Sequence, residues 1–533
     1  MFKYNGFALI RKRGILFKLV DRWDLTALPL KVHFFLHKGY YKMKRLVSIV
    51  LFLIFQICII SSCRETQQYL PELSMEQLEA AYAGHQEPSI SHRRFKHADI
   101  VPLIKGRSRK FQVEELGKSI QGKEIYQLSY GRGATKVLLW SQMHGNESTA
   151  TMALFDLFNF LEGGNDAFDS LRNLLKDKLS LRFIPMVNPD GADIFQRRNI
   201  LDIDLNRDAM DEATPEAALL KAARADFQPA FGFNLHDQQI YYNAKGTDKP
   251  ATISVLAPAY NEAKEINEVR KKSMQVIVGM NKILQQTVPG HVGKYDDAFE
   301  PRAFGDNFQR WGTSTILIES GGYPGDPEKQ YIRQLNFMII LNAFYEIATE
   351  NYQQYNVEEY FSIPDNDNKL MDLIVRQVKV EHGGQFFEVD LGIKQQEFQT
   401  NGSYRVSGSI VDKGDLSVFY GYEEVNAEGL EFKRGNVWKG TFPSLEAISE
   451  QKAIELLRQG YMGIIVKDED KGKAHGLPLL VVTEEKAFQS GHQIGKPANF
   501  FLQKDDEPVY AIINGFVIDL KEPKLPISYQ QVF

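Results

Sequence analysis

The sequence predicts a mixed α/β fold, a largely parallel central sheet flanked by helices, followed by a β-rich C-terminal accessory region. Three observations predict it. Between about residues 110 and 350, short unbroken apolar runs alternate with helically spaced segments, as expected of strands covered on both faces by helices. Four of those runs stop abruptly at polar residues able to do chemistry. Beyond residue 352 the texture changes to short alternating runs separated by Gly, Asn and Asp, the mark of antiparallel strands.

The N-terminal segment comes first. Met43, Lys44 and Arg45 precede fifteen uncharged residues, 46–60, and then Ser61, Ser62 and Cys63. A basic head before an apolar run too short for a comfortable membrane span reads as a signal peptide. Ile60-Ser61-Ser62-Cys63 resembles a bacterial lipobox, which implies that Cys63 is lipidated and becomes the first residue of the mature protein. Residues 1–42 carry basic and aromatic residues without a period, and Met43 is the better start for a secreted chain. Residues 1–62 hold 11 Lys/Arg and 2 Asp/Glu, so the remainder has 52 basic and 66 acidic residues, a net charge of −14. That balance excludes nucleic acid as a partner, which needs a concentrated basic surface. Cys58 and Cys63 are the only cysteines; the mature chain has no disulfide.

Residues 63–106 read as a polar tether with one short helix at 75–82 and solvated histidines at His85, His92 and His97. Residues 111–130 alternate around Gly117 and Gly122, as in two antiparallel strands. The run 136–141 is a buried strand, and 149–162 has helical spacing. The run 181–187 ends at Asn188-Pro189-Asp190-Gly191, the run 231–235 at His236, and the run 313–318 at Glu319. In open α/β sheets ligands bind beyond the carboxyl ends of the strands. Four strands delivering polar groups at that end therefore point to one site.

His144 and Glu147, three residues apart after the first strand, can reach one ion together. Alone, that spacing is a weak signal, and its bland alternative is a capping Glu beside a satisfied histidine. With His236 the set becomes two nitrogens and a carboxylate, the ligands of hydrolytic zinc sites with a fourth position open, which implies one Zn2+ per chain. Glu319 is a further carboxylate at the same edge, placed to accept a proton from an attacking water. Arg197 and Arg207 are fixed positive charges able to stabilise an oxyanion or grip a carboxylate.

At these residues the chain resembles the zinc metallocarboxypeptidases, the carboxypeptidase A-like family. The resemblance rests on His144-x-x-Glu147, Asn188-Pro-Asp-Gly191, Arg197-x-Asn199, Asp204-Leu-Asn-Arg207, His236 and Glu319, in the family's order. It implies a catalytic domain over 107–351, with 352–533 as the accessory region. By the same resemblance His144, Glu147 and His236 are zinc ligands and Glu319 is the general base. Arg197 polarises the scissile carbonyl, while Asn206 and Arg207 hold the substrate's terminal carboxylate. Tyr295 is nearest in spacing to the tyrosine that closes over substrate, with plain packing as its alternative role. Where the family often has glycine, two residues before Asp204, this chain has Asp202, which puts the backbone of that loop in question. Residues 302–308 resemble a pocket-lining segment of bacterial members. Asp237 reads either as a group orienting a ligand or as half of a salt bridge.

The accessory region shows alternating runs at 370–380, 386–391, 404–411, 416–420, 463–466, 479–482 and 509–513, with one helix near 449–458. Its end weakly resembles the small β-domain of amidohydrolases, without their metal motif. His382, His475 and His492 read as solvated. These resemblances thus imply a zinc-dependent peptidase acting near a free C-terminal carboxylate, lipid-anchored in a bacterial cell envelope at the outer membrane. Peptides, among them peptidoglycan stem peptides, are the expected partners. An amide deacylase for N-acyl amino acids and a non-catalytic envelope binding protein are the alternatives.

Overall fold

The central sheet is built from runs that bury both faces at once, and alternation along each strand decides which core a residue joins. The computed structural model describes residues 70–107, 109–400, 403–467, 475–482 and 490–524. The leader and Cys63 lie outside the described residues. No helix among the described residues is long and apolar enough to cross a membrane.

The first strands are β1 (Gln112–Lys118), β2 (Glu124–Gly131), β3 (Thr135–Ser141), β4 (Leu179–Ile184), β5 (Phe231–Asp237), β6 (Asn243–Ala244), β7 (Ile253–Leu256), β8 (Val292–Lys294) and β9 (Ser314–Ser320). All but β6 form an eight-stranded sheet in the order β1-β2-β4-β3-β5-β9-β7-β8. The four runs singled out in the sequence are its centre: β4, β3, β5 and β9 are parallel neighbours. The pairs β1–β2, β2–β4 and β7–β9 are antiparallel.

The helices of this half are α1 (Met75–Ala83), α2 (His97–Lys105), α3 (Thr149–Glu162), α4 (Asp169–Lys178), α5 (Pro189–Asp193), α6 (Pro215–Phe227), α7 (Glu268–Thr287), α8 (Phe304–Arg310) and α9 (Gln330–Thr349). Val137 and Leu139 of β3 enter one core with α3, α7 and α9. Leu138 and Trp140 enter the opposite core with α6 and α8. Two-sided burial is why β3 shows no polar alternation.

From Leu70 onward the expected tether is part of the fold. Leu78, Ala81, Ile90, Phe95, Ile100 and Ile104 are buried in the same core as α3 and α9. Ile100 and Ile104 of α2 are four apart and share a helix face, a pattern hidden by the polar residues around it. His97 is correspondingly buried, its Nε2 2.8 Å from the Glu124 carbonyl. His85 is half-buried against Phe160, and His92 is exposed as expected.

The β-rich half begins after α10 (Glu358–Phe361), with β10 (Asn366–Asp367) paired to β6. There follow β11 (Leu370–His382), β12 (Gln385–Thr400), β13 (Ser403–Gly414), β14 (Tyr420–Asn426), β15 (Glu431–Lys433), β16 (Asn436–Phe442), α11 (Glu450–Arg458), β17 (Tyr461–Val466), β18 (Leu480–Val481), β19 (Phe500–Lys504), β20 (Glu507–Ile513) and β21 (Phe516–Asp519). The main sheet runs β13-β12-β11-β15-β19-β20-β21, with β14 parallel to β11, and β16-β17-β18 form a small separate sheet. The strand expected at 416–420 is instead a turn closed by Phe419 N–H to the Leu416 carbonyl, and the strand starts at Tyr420. Leu416 is apolar because it fills a small core with Met371 and Ile374. His382 is exposed as expected. The expectation that His475 and His492 are solvated fails: His475 is buried, which pushes its imidazole down to about 4, and His492 sits edge-on to Phe432. The described residues form one compact unit.

Candidate metal centre

Three loops leave the carboxyl edge of the central sheet and meet. After β3 the chain turns at Gln142, whose φ of 45° lies in the left-handed region, and Gln142 Nε2 donates to the Gly145 carbonyl at 2.9 Å. Gly145 lies against the backbone of Gly191 and Ala192 with no room for a Cβ. This close approach seats the His144 loop on the Asn188 loop, where Asn188 Oδ1 accepts from Gly191 N–H at 2.9 Å.

His144, Glu147 and His236 are all buried, and their nearest ligand atoms lie within 4.8 Å of one another. His144 Nδ1 is 2.8 Å from Glu147 Oε1, and His236 Nδ1 is 2.7 Å from Glu147 Oε2. The two Nδ1 atoms are 3.1 Å apart. His144 Nε2 stands 3.0 Å from Asp204 Oδ1; a carboxylate only accepts, so Nε2 carries the proton and Nδ1 faces the cluster. Three donor atoms thus converge around the Glu147 carboxylate, whose Oε1 also accepts from Arg197 Nη1 at 2.9 Å. A zinc ion takes such ligands at ~2.0–2.2 Å, and the donor set fits it.

The electrostatics express the same demand for positive charge. Burial opposes ionisation of Glu147, but the two histidines outweigh it and hold its carboxyl well below the usual range. Burial also opposes charge on His144, yet Glu147 and Asp204 lift it above the ordinary histidine value. For His236, burial outweighs the pull of Glu147 and pushes the imidazole down. Its Nε2 has no hydrogen-bond partner among the described residues.

Glu319 lies opposite His236 in the ladder between β5 and β9. Burial pushes its carboxyl well above the ordinary range, and the negative charges of Glu147 and Asp237 push the same way. A carboxyl that resists losing its proton holds a captured one well, which suits a group that must take a proton and return it.

His144, Glu147, His236, Glu319, Arg197, Asn206, Arg207 and Tyr295 all line one cleft of about 960 Å3. Arg197 donates from Nη1 to Glu147 Oε1 at 2.9 Å and from Nη2 to Asp204 Oδ2 at 3.2 Å, with its side chain 45% exposed. Asn206 Oδ1 accepts from Phe304 N–H at 3.0 Å, and Arg207 Nε is 3.1 Å from Glu300 Oε2. The Tyr295 hydroxyl is pushed up by burial and then by the charge of Glu319. Ala303, Gly305 and Asp306 of the 302–308 segment line the cleft as well.

Two alternatives left open by the sequence close here. Asp202 adopts φ of 60°, the left-handed conformation for which glycine is favoured, and aspartate is among the residues that tolerate it. Asp237 does both: its Oδ2 is 3.0 Å from Lys329 Nζ and accepts from Thr149 Oγ1 at 2.6 Å, while its backbone N–H donates to Glu147 Oε2 at 3.2 Å. Sequence reasoning missed Asp204 as the partner of His144, although it lies inside a motif already marked. It also missed Lys294, Asp365 and Asn366 on the cleft wall, for which no local signal exists.

Residues 103–273 match the zinc carboxypeptidase family. An uncharacterized protein of Zymomonas mobilis is 32% identical over 125 residues, covering 23% of this chain and 32% of that protein. The match spans about a third of that relative's length. Among solved structures, a metallo-carboxypeptidase from Burkholderia cenocepacia gives a TM-score of 0.40 at 18% identity, over 48% of this chain and 70% of that one. The carboxypeptidase A of Helicoverpa armigera gives 0.38 at 16% identity, over 52% and 81%.

Proposed function

We propose, from the zinc carboxypeptidase domain that residues 103–273 carry, that this protein is a zinc-dependent peptidase releasing residues from the free C-terminal end of peptides. The observation that carries the reading is the convergence of His144, Glu147 and His236 beside a buried Glu319, in a cleft that also holds Asn206 and Arg207.

A zinc ion held by the three ligands would supply Lewis acidity and lower the pKa of a water toward ~7. Arg207, with the side-chain amide of Asn206, binds the terminal carboxylate and sets which peptide bond reaches the centre. Glu319 accepts the proton of the attacking water and returns it to the departing amine, so one side chain serves both transfers. Arg197, pinned by Glu147 and Asp204 on one side and open to the cleft on the other, places a fixed positive charge toward the carbonyl oxygen as it gains negative charge. Tyr295 stands at the cleft wall to cover the bound residue. The signal segment and Cys63 motif support lipid anchoring in a bacterial envelope, where peptides, including peptidoglycan stem peptides, are within reach.

The test compares an N-blocked peptide, its C-terminally amidated form and an N-acyl amino acid. Release of the last residue from the free acid alone is expected. Equal cleavage of the amide removes the carboxylate-anchored reading, and preference for the N-acyl amino acid makes the protein a deacylase.

A further inference from the structure

We infer that the β-rich region supplies part of the catalytic site, with Asn366 acting as a positioning residue for both the metal-ligand strand and the base strand. The inference rests on the peptidase reading for its kinetic consequences, and on the donor set alone for its effect on metal affinity.

Asp365 and Asn366 line the same cleft as the candidate ligands and Glu319. Asn366, itself half-buried, closes a triangle of hydrogen bonds. Its Nδ2 donates to Gln238 Oε1 at 2.7 Å, Gln238 Nε2 donates to Ser254 Oγ at 2.8 Å, and Ser254 Oγ donates to Asn366 Oδ1 at 2.8 Å. Each member both gives and accepts within the triangle, so the three orient one another.

The corners are attached next to the chemistry. Gln238 is two residues beyond His236, and its backbone N–H donates to the Ser320 carbonyl at 3.1 Å, one residue past Glu319. Ser254 of β7 is the ladder partner of Glu319. The ladder between β5 and β9 reaches Asp237 and Ser320, so the triangle holds the strands where regular pairing ends. A Cβ on Gly293 would overlap Asn366 Oδ1, which leaves Asn366 little freedom to shift.

The segment that carries Asn366 is itself stitched to the cleft rim. Lys294 N–H donates to the Pro364 carbonyl at 2.7 Å, and Lys245 N–H to the Asp365 carbonyl at 2.9 Å. The Lys294 ammonium is 2.9 Å from Asp365 Oδ1, and the next residue is Tyr295. Further on, Lys369 N–H donates to Asn243 Oδ1 at 3.0 Å, and Tyr422 Oη donates to the Ile240 carbonyl at 2.5 Å. The loop after His236 is therefore gripped from the β-rich half at several points. Interdomain adhesion alone would account for the Lys369 and Tyr422 bonds, but not for a triangle whose other two corners flank the ligand and the base.

The experiment uses the full chain with Asn366→Ala, Ser254→Ala, the double variant, and Glu424→Ala as a control. Glu424 pairs with Arg376 at 2.9 Å in the β-rich sheet. Zinc affinity by chelator competition, kcat, KM and Tm are measured for each. Orienting partners behind metal ligands are worth ~10–100-fold in affinity or activity. Asn366→Ala is expected to lose about tenfold or more in zinc affinity and kcat with KM little changed, and the double variant to be no worse than the worse single one. Glu424→Ala is expected to lower Tm without moving kcat. Unchanged zinc affinity and kcat in Ser254→Ala or Asn366→Ala overturn the inference, as does a loss that merely follows Tm as in the control. A wild type that binds zinc but cleaves nothing overturns the peptidase reading and leaves the zinc-affinity comparison to decide this one; a wild type that binds no zinc overturns both.

Discussion

Replacing Glu319 by Gln keeps the shape of the side chain and removes its ability to take a proton. General acid–base catalysis is typically worth ~10²–10⁴-fold. In the proposed reaction one carboxyl serves both the attack and the departure of the amine, so the upper part of that range applies. We expect kcat/KM to fall about 10³–10⁴-fold, or ~4–5.5 kcal/mol of transition-state stabilisation. The fold should be indifferent. Burial and the negative charges of Glu147 and Asp237 already disfavour an ionised group at this position, so a neutral amide loses nothing there. Zinc content should also hold, because none of the three ligands is touched. The assay is turnover of a blocked peptide, with metal content by elemental analysis and Tm on the same preparations. Activity within tenfold of wild type, with zinc retained, would refute the assignment of Glu319 as base. Loss of zinc in the variant would show instead that Glu319 belongs to the ligand set.

The remaining predictions concern the partner of a proposed ligand and a buried carboxyl that does not line the cleft. Asp204→Ala leaves His144 Nε2 without its acceptor and frees Arg197 on one side; zinc affinity should drop ~10–100-fold by chelator competition, and an unchanged affinity would mean that His144 is oriented by packing alone. Glu346 is buried, its Oε1 accepts from Tyr355 Oη at 2.7 Å and from Asn342 Nδ2 at 3.1 Å, and its Oε2 has no hydrogen-bond partner among the described residues. Burial pushes this carboxyl up to about 7. Between its ordinary value and about 7 the folded protein keeps a proton that the unfolded chain releases, so this group's contribution is complete at acid pH and is lost as pH rises through about 7. Glu346→Gln should gain stability relative to wild type between pH 5 and pH 8, by at most ~3 kcal/mol, read from denaturant midpoints; parallel pH slopes for the two proteins would rule the effect out.

The candidate site was legible because the central strands are buried on both faces. Residues 137–140 and 231–235 read as covered strands, and the residues after a covered strand stand at the sheet's edge. His144, Glu147, His236 and Glu319 could therefore be gathered from their places in the chain alone. Their mutual register could not. That Glu319 stands opposite His236 depends on β9 lying directly beside β5, a choice made by packing across the whole sheet. Asp204 was visible as part of a motif but silent as to role, because its partner is 60 residues away. Helix α2 was missed because a nine-residue segment with two inward isoleucines carries little periodic signal. Asn366 is beyond sequence reading altogether: an asparagine in a turn-rich stretch ordinarily marks a turn, and only the fold brings it against Gln238.

The pairing of His236 with Glu319 across neighbouring parallel strands also sets how this protein can vary. Adjacent strands are held ~4.8 Å apart by peptide geometry, a spacing common to every sheet whatever side chains surround it. The separation of the proposed ligand and the proposed base is thus tied to a constant of the polypeptide rather than to any particular set of packed residues. Substitutions such as Leu to Ile at Leu235 or Ile to Val at Ile318 can drift, one compensating another, while the chemical distance stays put. Insertions or deletions inside β5 or β9 have no such freedom: one residue added would turn His236 or Glu319 to the opposite face. Natural variants and engineered libraries of this protein should accordingly be rich in core exchanges along these strands and empty of length changes within them.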